Sequence, residues 1–239
     1  MLVKTEAIVI SSLKYGEADL IVKIYTLADG LKTYMLKGVL KSKKGKFKAS
    51  MFQALSQLEI VSNHRGAGKM EYLKEAKVIN AYQSIHFNPV KMAMLMFLAE
   101  MLKITVREEE PNPPLFHFLQ ASFAYLDAED KIANFHLVFL LHLTRYLGFQ
   151  PDSQHEDLPV FNLLDGVFQE VPSSDYCIEG KNVELLKSLL GIDFDEMQHI
   201  KLNQVNRNDF LNMLLLYFEL HVESFHEPRS LQVLKEIFG

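Results

Sequence analysis

Residues 20–36 read LIVKIYTLADGLKTYML. Two runs rich in Ile, Leu, Val and Tyr flank Asp29-Gly30, a dipeptide suited to tight hairpin turns because both central positions tolerate positive φ. The spacing predicts strands over 20–27 and 31–36. Upstream, Val3, Thr5, Ala7 and Val9 alternate with Lys4, Glu6, Ile8 and Ile10, a strand that becomes apolar on both faces as it proceeds. Downstream, residues 55–61 and 70–81 read as two further strands, with the glycine-bearing run 63–68 between them. Five short strands in residues 1–80 predict a small, partly open Greek-key barrel of the OB type.

From Pro89 the period changes. Residues 91–105, 115–125, 131–147, 183–190 and 207–225 all carry the apolar faces of helices. Asn112, Pro113 and Pro114 separate the first two helices, with proline placed where a new helix begins. Residues 127–130 part the next pair, and residues 148–151 end the third. Residues 158–171 interrupt the helical pattern: Val160-Phe161 and Val167-Phe168 flank Asp165-Gly166, a second hairpin signal. The predicted class is α+β, with a five-stranded barrel over 1–80 followed by a helical domain over 81–239. A hairpin insertion falls within 150–180.

The formal charge of −5 is unevenly distributed. Residues 1–80 hold 14 Lys/Arg against 7 Asp/Glu, a balance of +7; residues 81–239 hold 11 against 23, a balance of −12. Such asymmetry points to a polyanion as the partner of the first part. The single cysteine, Cys177, excludes an intramolecular disulfide framework and a cysteine-rich zinc site. The apolar windows 92–106, 135–147 and 210–222 are shorter than the roughly 20 residues of a membrane span, and each carries charge or imidazole. The first residues do not resemble a secretion signal, so a cytoplasmic location is expected.

The sharpest local feature is KGVLKSKKGKFK at 37–48, in which six of twelve residues are lysine. No Asp or Glu occurs between Asp29 and Glu59, and Lys32 adds a further cation. A solvated lysine loop needs no function, but uncompensated charge is self-repelling unless a polyanion is bound. The run also follows a barrel strand, where OB proteins offer loops and a groove to oligonucleotides. Lysines without base-reading partners predict backbone contacts with weak sequence preference. Tyr15, Tyr25, Tyr34 and Phe47 are open to either base stacking or core packing.

NHRGAGKM at 63–70 has superficial likeness to a phosphate loop. Asn63 stands where the first glycine belongs and Met70 where the magnesium-binding hydroxyl belongs, so a turn exposing Arg65 and Lys69 is expected instead. The nine histidines show no zinc-ligand spacing. His221 and His226 fall on different helix faces, and His155 with Cys177 supplies two ligands at most. No nucleophile has a triad context, so no catalytic residue, metal or cofactor is expected. The methionines of 91–101 fill core gaps.

These residues resemble a family, the bacterial DNA repair protein RecO, a recombination mediator. The resemblance rests on Gly16, Glu17 and Asp19, then Thr26 and Gly30, then Lys37-Gly38 and Lys41-Ser42-Lys43. It continues through Glu100, the LFHFL run at 115–119, Tyr146-Leu147-Gly148-Phe149 and Arg229-Ser230-Leu231, covering most of the chain. Two departures stand out. Many members carry a four-cysteine zinc module after the Leu-Gly-aromatic turn; here 150–180 keeps the hairpin but only Cys177, a degenerate module. Leu40 stands where an arginine is common.

The resemblance implies a non-enzymatic protein that binds single- and double-stranded DNA and anneals complementary strands. It also implies work with the ring-forming protein RecR and contact with the acidic C-terminal tail of the single-strand binding protein. Together these help load the RecA recombinase. The residues expected at the DNA are Lys32, Lys37, Lys41, Lys43, Lys44, Lys46, Lys48, Arg65 and Tyr15. Lys131, Arg107 and Arg145 are candidates for the acidic tail. An OB-fold RNA-binding protein with a helical interaction domain is the alternative; an enzyme with a helical lid would need a polar pocket that the sequence does not show.

Overall fold

The computed structural model describes residues 2–41, 45–64, 70–107 and 109–238. Five antiparallel strands, β1 (Leu2–Tyr15), β2 (Asp19–Thr26), β3 (Gly30–Leu36), β4 (Gln57–Asn63) and β5 (Leu73–Asn80), form one sheet in the order β3-β2-β1-β4-β5. β1 is the longest because it serves two partners. Its first half pairs with β4, from Leu2 opposite Asn63 to Ile8 opposite Gln57; its second half pairs with β2, as far as Tyr15 opposite Asp19. The two outer strands then approach each other. A parallel bridge joins Tyr34 to Glu71, with Glu71 N–H donating to Thr33 O (2.8 Å) and Met35 N–H to Glu71 O (2.9 Å). The sheet is thus curled, with a single bridge between β3 and the approach to β5, which agrees with the expected partly open barrel. That bridge explains why the fifth strand starts later than its sequence pattern suggests: residue 71 is paired with β3, not β4.

The interior is apolar, as the alternation requires. Val9, Val22, Ile24, Leu36, Phe52, Leu58 and Ile60 form one buried cluster. Ile8 and Ile10 are buried as well, and α1 (Pro89–Thr105) packs against β1, which accounts for that strand's two apolar faces. A one-residue irregularity lies between Val9 and Ser11, where the β1–β2 register slips. Past it the side-chain parity of β1 is reversed.

The β2–β3 turn is where a glycine is required. Gly30 has φ +63°, and a Cβ there would overlap the Glu110 carbonyl, with the Glu109 carbonyl carbon 2.9 Å away. Gly38 also has positive φ, +69°, but open space around it. Gly30→Ala is therefore expected to destabilise the protein by roughly 2–5 kcal/mol through combined backbone strain and overlap. Gly38→Ala should cost only the conformational part, about 1–2 kcal/mol. Urea midpoints of the two variants check this; equal losses would contradict the close approach at Gly30.

Contact density divides the chain into two compact units, residues 1–128 and 129–239. This boundary differs from the change of secondary structure near residue 80, for a chemical reason. Asp127, at the end of α2 (Pro113–Ala128), accepts the backbone N–H groups of Gln83, Ser84 and Ile85 at 2.7–2.9 Å. Burial alone would raise its pKa, but these donors hold the carboxyl below its ordinary range. The buried Lys91 ammonium donates to Ser84 Oγ (2.7 Å) and Asp127 O (2.9 Å). Gln120 reaches Glu6 of β1 at 2.7 Å, and Tyr82 O–H donates to Leu55 O at 2.7 Å. These bonds join α1 to α2 and to the segment before α1, and tie α2 and that segment to the barrel. Both helices start two residues before the expected 91 and 115, at Pro89 capped by Asn88 and at Pro113, with Asn112 Oδ1 accepting from Leu115 N–H.

The second unit holds α3 (Phe135–Leu147), α4 (Lys181–Leu189), α5 (Gln204–His221) and α6 (Leu231–Ile237). It also holds a small sheet in the order β7-β6-β8, made from β6 (Val160–Asn162), β7 (Val167–Gln169) and β8 (Cys177–Glu179). The expected 160–168 hairpin is its β6–β7 pair; β8 and α6 have no counterpart in the sequence reading, being only three and seven residues long. α3 is buried over almost its whole length, packs on α5, and ends at Gly148 in the left-handed conformation. Among the described residues no helix is long and apolar enough to cross a membrane.

Candidate nucleic-acid interface

The lysines of 37–48 begin where β3 ends, beside the C-terminal end of β1. Leu36 pairs with Leu20, which in turn faces Lys14. Gly38 N–H donates to Asp19 Oδ1 at 2.7 Å, and Leu40 N–H to Ala18 O at 2.9 Å, tying the start of the segment to the β1–β2 turn. Its far end is anchored by Phe47, which packs on the barrel core and meets Phe52 edge-on with centroids 5.9 Å apart. Lys41 and Lys46 lie between these anchors, Lys37 and Lys48 flank them, and all four are exposed. Lys43 and Lys44, also expected at the DNA, lie outside the described residues.

Two features of the sequence reading are corrected. Lys32 does not face solvent. It shares the inward face of β3 with Tyr34 and Leu36, opposite Ile24, is 9% exposed, and its Nζ lies 3.9 Å from a Glu109 carboxylate oxygen. The basic run also has acidic company in space that it lacks in sequence: besides Glu109 at Lys32, Glu17 Oε2 accepts from Lys41 Nζ at 2.6 Å. Both partners of the Lys41 pair are exposed, so it holds Lys41 only weakly.

Of the four aromatic residues left open by the sequence, three are consumed by packing. Tyr25 is buried and stacks on Phe116, centroids 6.2 Å apart. Tyr34 is fully buried; burial raises its pKa, and its hydroxyl lies 2.7 Å from His64 Nε2. Phe47 packs as described above. Tyr15 alone of the four is open, at 55% exposure.

Arg65 lies outside the described residues. Its neighbour His64 follows Asn63, which pairs with Leu2 at the opposite end of β1 from Tyr15. His64 Nδ1 is 2.5 Å from Asp29 Oδ2, fixing the base of that loop to the β2–β3 turn. The loop connects two antiparallel strands, not a strand to a helix, so it lacks the setting of a phosphate loop.

The region of the degenerate zinc module does not suit a metal. Cys177 Sγ accepts from Ser173 N–H and Gln169 Nε2–H, both at 3.4 Å, and Ser173 and Ser174 surround it. Burial would raise the thiol pKa, but hydrogen bonds from Ser173 and Ser174 lower it. Among the described residues no three His, Cys, Asp or Glu side chains are grouped to hold a metal ion. His142 and His221 instead meet backbone oxygens of Ile192 (2.8 Å) and Leu163 (2.9 Å) and stack on Phe194 and Phe149.

Two family descriptions match the chain: "Recombination protein O N terminal" over residues 1–82 and "Recombination protein O C terminal" over residues 86–231. Among curated relatives, a DNA repair protein RecO from Christiangramia forsetii is 73% identical over 239 residues, all of both chains. RecO proteins from Flavobacterium johnsoniae and Bacteroides fragilis are 44% and 36% identical, again over the full length of both chains.

Proposed function

The chain belongs to the RecO family of DNA repair proteins, and from that premise we propose that it is a non-enzymatic recombination mediator. In this reading it binds single- and double-stranded DNA, anneals complementary strands, and helps load a recombinase on DNA coated by single-strand binding protein. It would act in the cytoplasm, at the nucleoid. The observation that carries the DNA part is the placement of Lys37, Lys41, Lys46 and Lys48, all exposed on one segment anchored at both ends to the barrel. A tethered run of ammonium groups neutralises successive phosphates and releases their counterions without reading sequence.

RecR and the acidic tail of the single-strand binding protein are the partners this reading names. Lys131, Arg107 and Arg145 are exposed and suit an acidic peptide by charge. Annealing of complementary oligonucleotides coated with single-strand binding protein tests the proposal. The full chain should accelerate annealing, and pull-downs should recover both RecR and the tail peptide. DNA binding without faster annealing would contradict the mediator role and leave a simple DNA-binding protein.

A further inference from the structure

The register of the barrel places four apolar side chains in one row on its outer surface. Leu13 of β1 is opposite Ile21 of β2, and Ile21 is opposite Met35 of β3. The parallel bridge from Tyr34 to Glu71 then sets Tyr72 beside Met35. Leu13 is 65% and Tyr72 43% exposed, with Ile21 and Met35 half-buried between them. At about 4.8 Å per strand the row is roughly 14 Å long.

Its surroundings are cationic and aromatic. In the adjoining row on one side stand Tyr15 and, past the end of β3, Lys37, whose Nζ lies 5.7 Å from the Tyr72 ring centroid. In the row on the other side, Lys23 is exposed between Ser11 and Thr33. Asp19 is opposite Tyr15, but one of its carboxylate oxygens accepts the Gly38 N–H.

The irregularity at Ile10 is what turns this face outward. Ala7 and Val9 point into the barrel; had β1 kept its parity, Ser11, Leu13 and Tyr15 would too. The slip sets Ser12 opposite Val22 and Leu13 opposite Ile21, which places Leu13 and Tyr15, both exposed, on the outer face. Bulges that re-aim side chains are common next to binding sites.

Resting on the DNA-binding reading above, we propose that this row, with Tyr15, is a stacking platform for the bases of a single strand. The phosphates follow Lys23, Lys37 and Lys41. Charge complementarity selects the occupant: an apolar strip edged by lysines matches a polymer with apolar faces on an anionic backbone. A duplex hides its base faces and meets only the lysines, so the platform makes the site prefer unpaired strands. Stacking tolerates any base, so weak sequence preference is expected.

The test compares three probes on the full chain at one salt concentration: oligothymidylate of about 16 nucleotides, an abasic strand of equal length, and a duplex. The base-bearing strand should bind on the order of tenfold or more tighter than the abasic one. The double variant Tyr15→Ala with Tyr72→Ala should remove most of that difference while shifting duplex affinity little. Tyr15→Phe with Tyr72→Phe should restore the difference, because the rings remain. Equal binding of base-bearing and abasic strands by the unaltered protein would overturn the platform, leave the lysine contacts standing, and assign the apolar row to a protein partner. Binding to none of the three probes would overturn the DNA-binding reading itself, and the platform with it.

Discussion

Replacing Lys37, Lys41, Lys46 and Lys48 together by alanine is expected to reduce the slope of log affinity against log salt for single-stranded DNA by up to about 3, at roughly 0.7 per phosphate contact. The loss should be similar for unrelated sequences, because point-charge contacts to phosphate carry no base information. Folding should be nearly unaffected. All four side chains are exposed, Lys48 makes no side-chain cap bond to the turn it precedes, and such surface substitutions usually stay within about 0.5 kcal/mol. Lys32→Ala, in contrast, should disturb stability more than the salt slope, since Lys32 is buried against Glu109. Titrations at several salt concentrations, with thermal melts as the folding control, measure both effects. A well-folded quadruple variant with an unchanged slope would remove this segment from the interface.

The second large effect concerns acid stability. His136 on α3 is fully enclosed, stacked on Phe238 with centroids 5.7 Å apart. Burial, aided by the charge of Arg207, pushes its pKa down to about 3. Unfolded, the same imidazole has a pKa of about 6.5. Between those values the unfolded chain binds a proton that the folded chain refuses, so stability is lost as pH falls from about 6.5 toward about 3. The slope reaches about 1.4 kcal/mol per pH unit, or roughly 2 kcal/mol lost by pH 5. His136→Gln should flatten the decline, whatever the substitution does at neutral pH. Asp127 adds a loss of the same sign, but its depressed carboxyl acts only below about pH 4. Denaturant unfolding of the protein and the variant between pH 4.5 and 7 therefore separates His136 from Asp127. An equally steep decline in the variant would assign the pH dependence elsewhere.

The barrel and the helices were legible because their signals are local. Asp29-Gly30 marks the β2–β3 turn, proline marks the starts of α1 and α2, and Asp165-Gly166 marks the β6–β7 turn. What was not legible depends on partners distant in the chain. Lys32 read as part of a basic loop, although its alternation with Tyr34 and Leu36 already put it on the inward face of β3; its ion-pair partner, Glu109, comes from the segment between α1 and α2. Tyr15 and Tyr34 looked equivalent, yet one is open and the other closed in the core. The face of Tyr15 is set at Ile10, where a single-residue slip reverses the parity of β1 without leaving a mark in the sequence pattern. Tyr72 could not be placed beside Met35 before the Tyr34–Glu71 bridge was known. The compactness of residues 1–128 as one unit, across the change of secondary structure near residue 80, likewise follows from hydrogen bonds of Asp127 and Gln120 to residues far upstream.

The most direct test of the account is amide hydrogen exchange of the full chain with and without single-stranded DNA. The account predicts added protection in peptides covering residues 11–23 and 31–48, with little change across α3, α4 and α5. Protection concentrated in those helices, with residues 31–48 unchanged, would contradict the placement of the strand on the barrel.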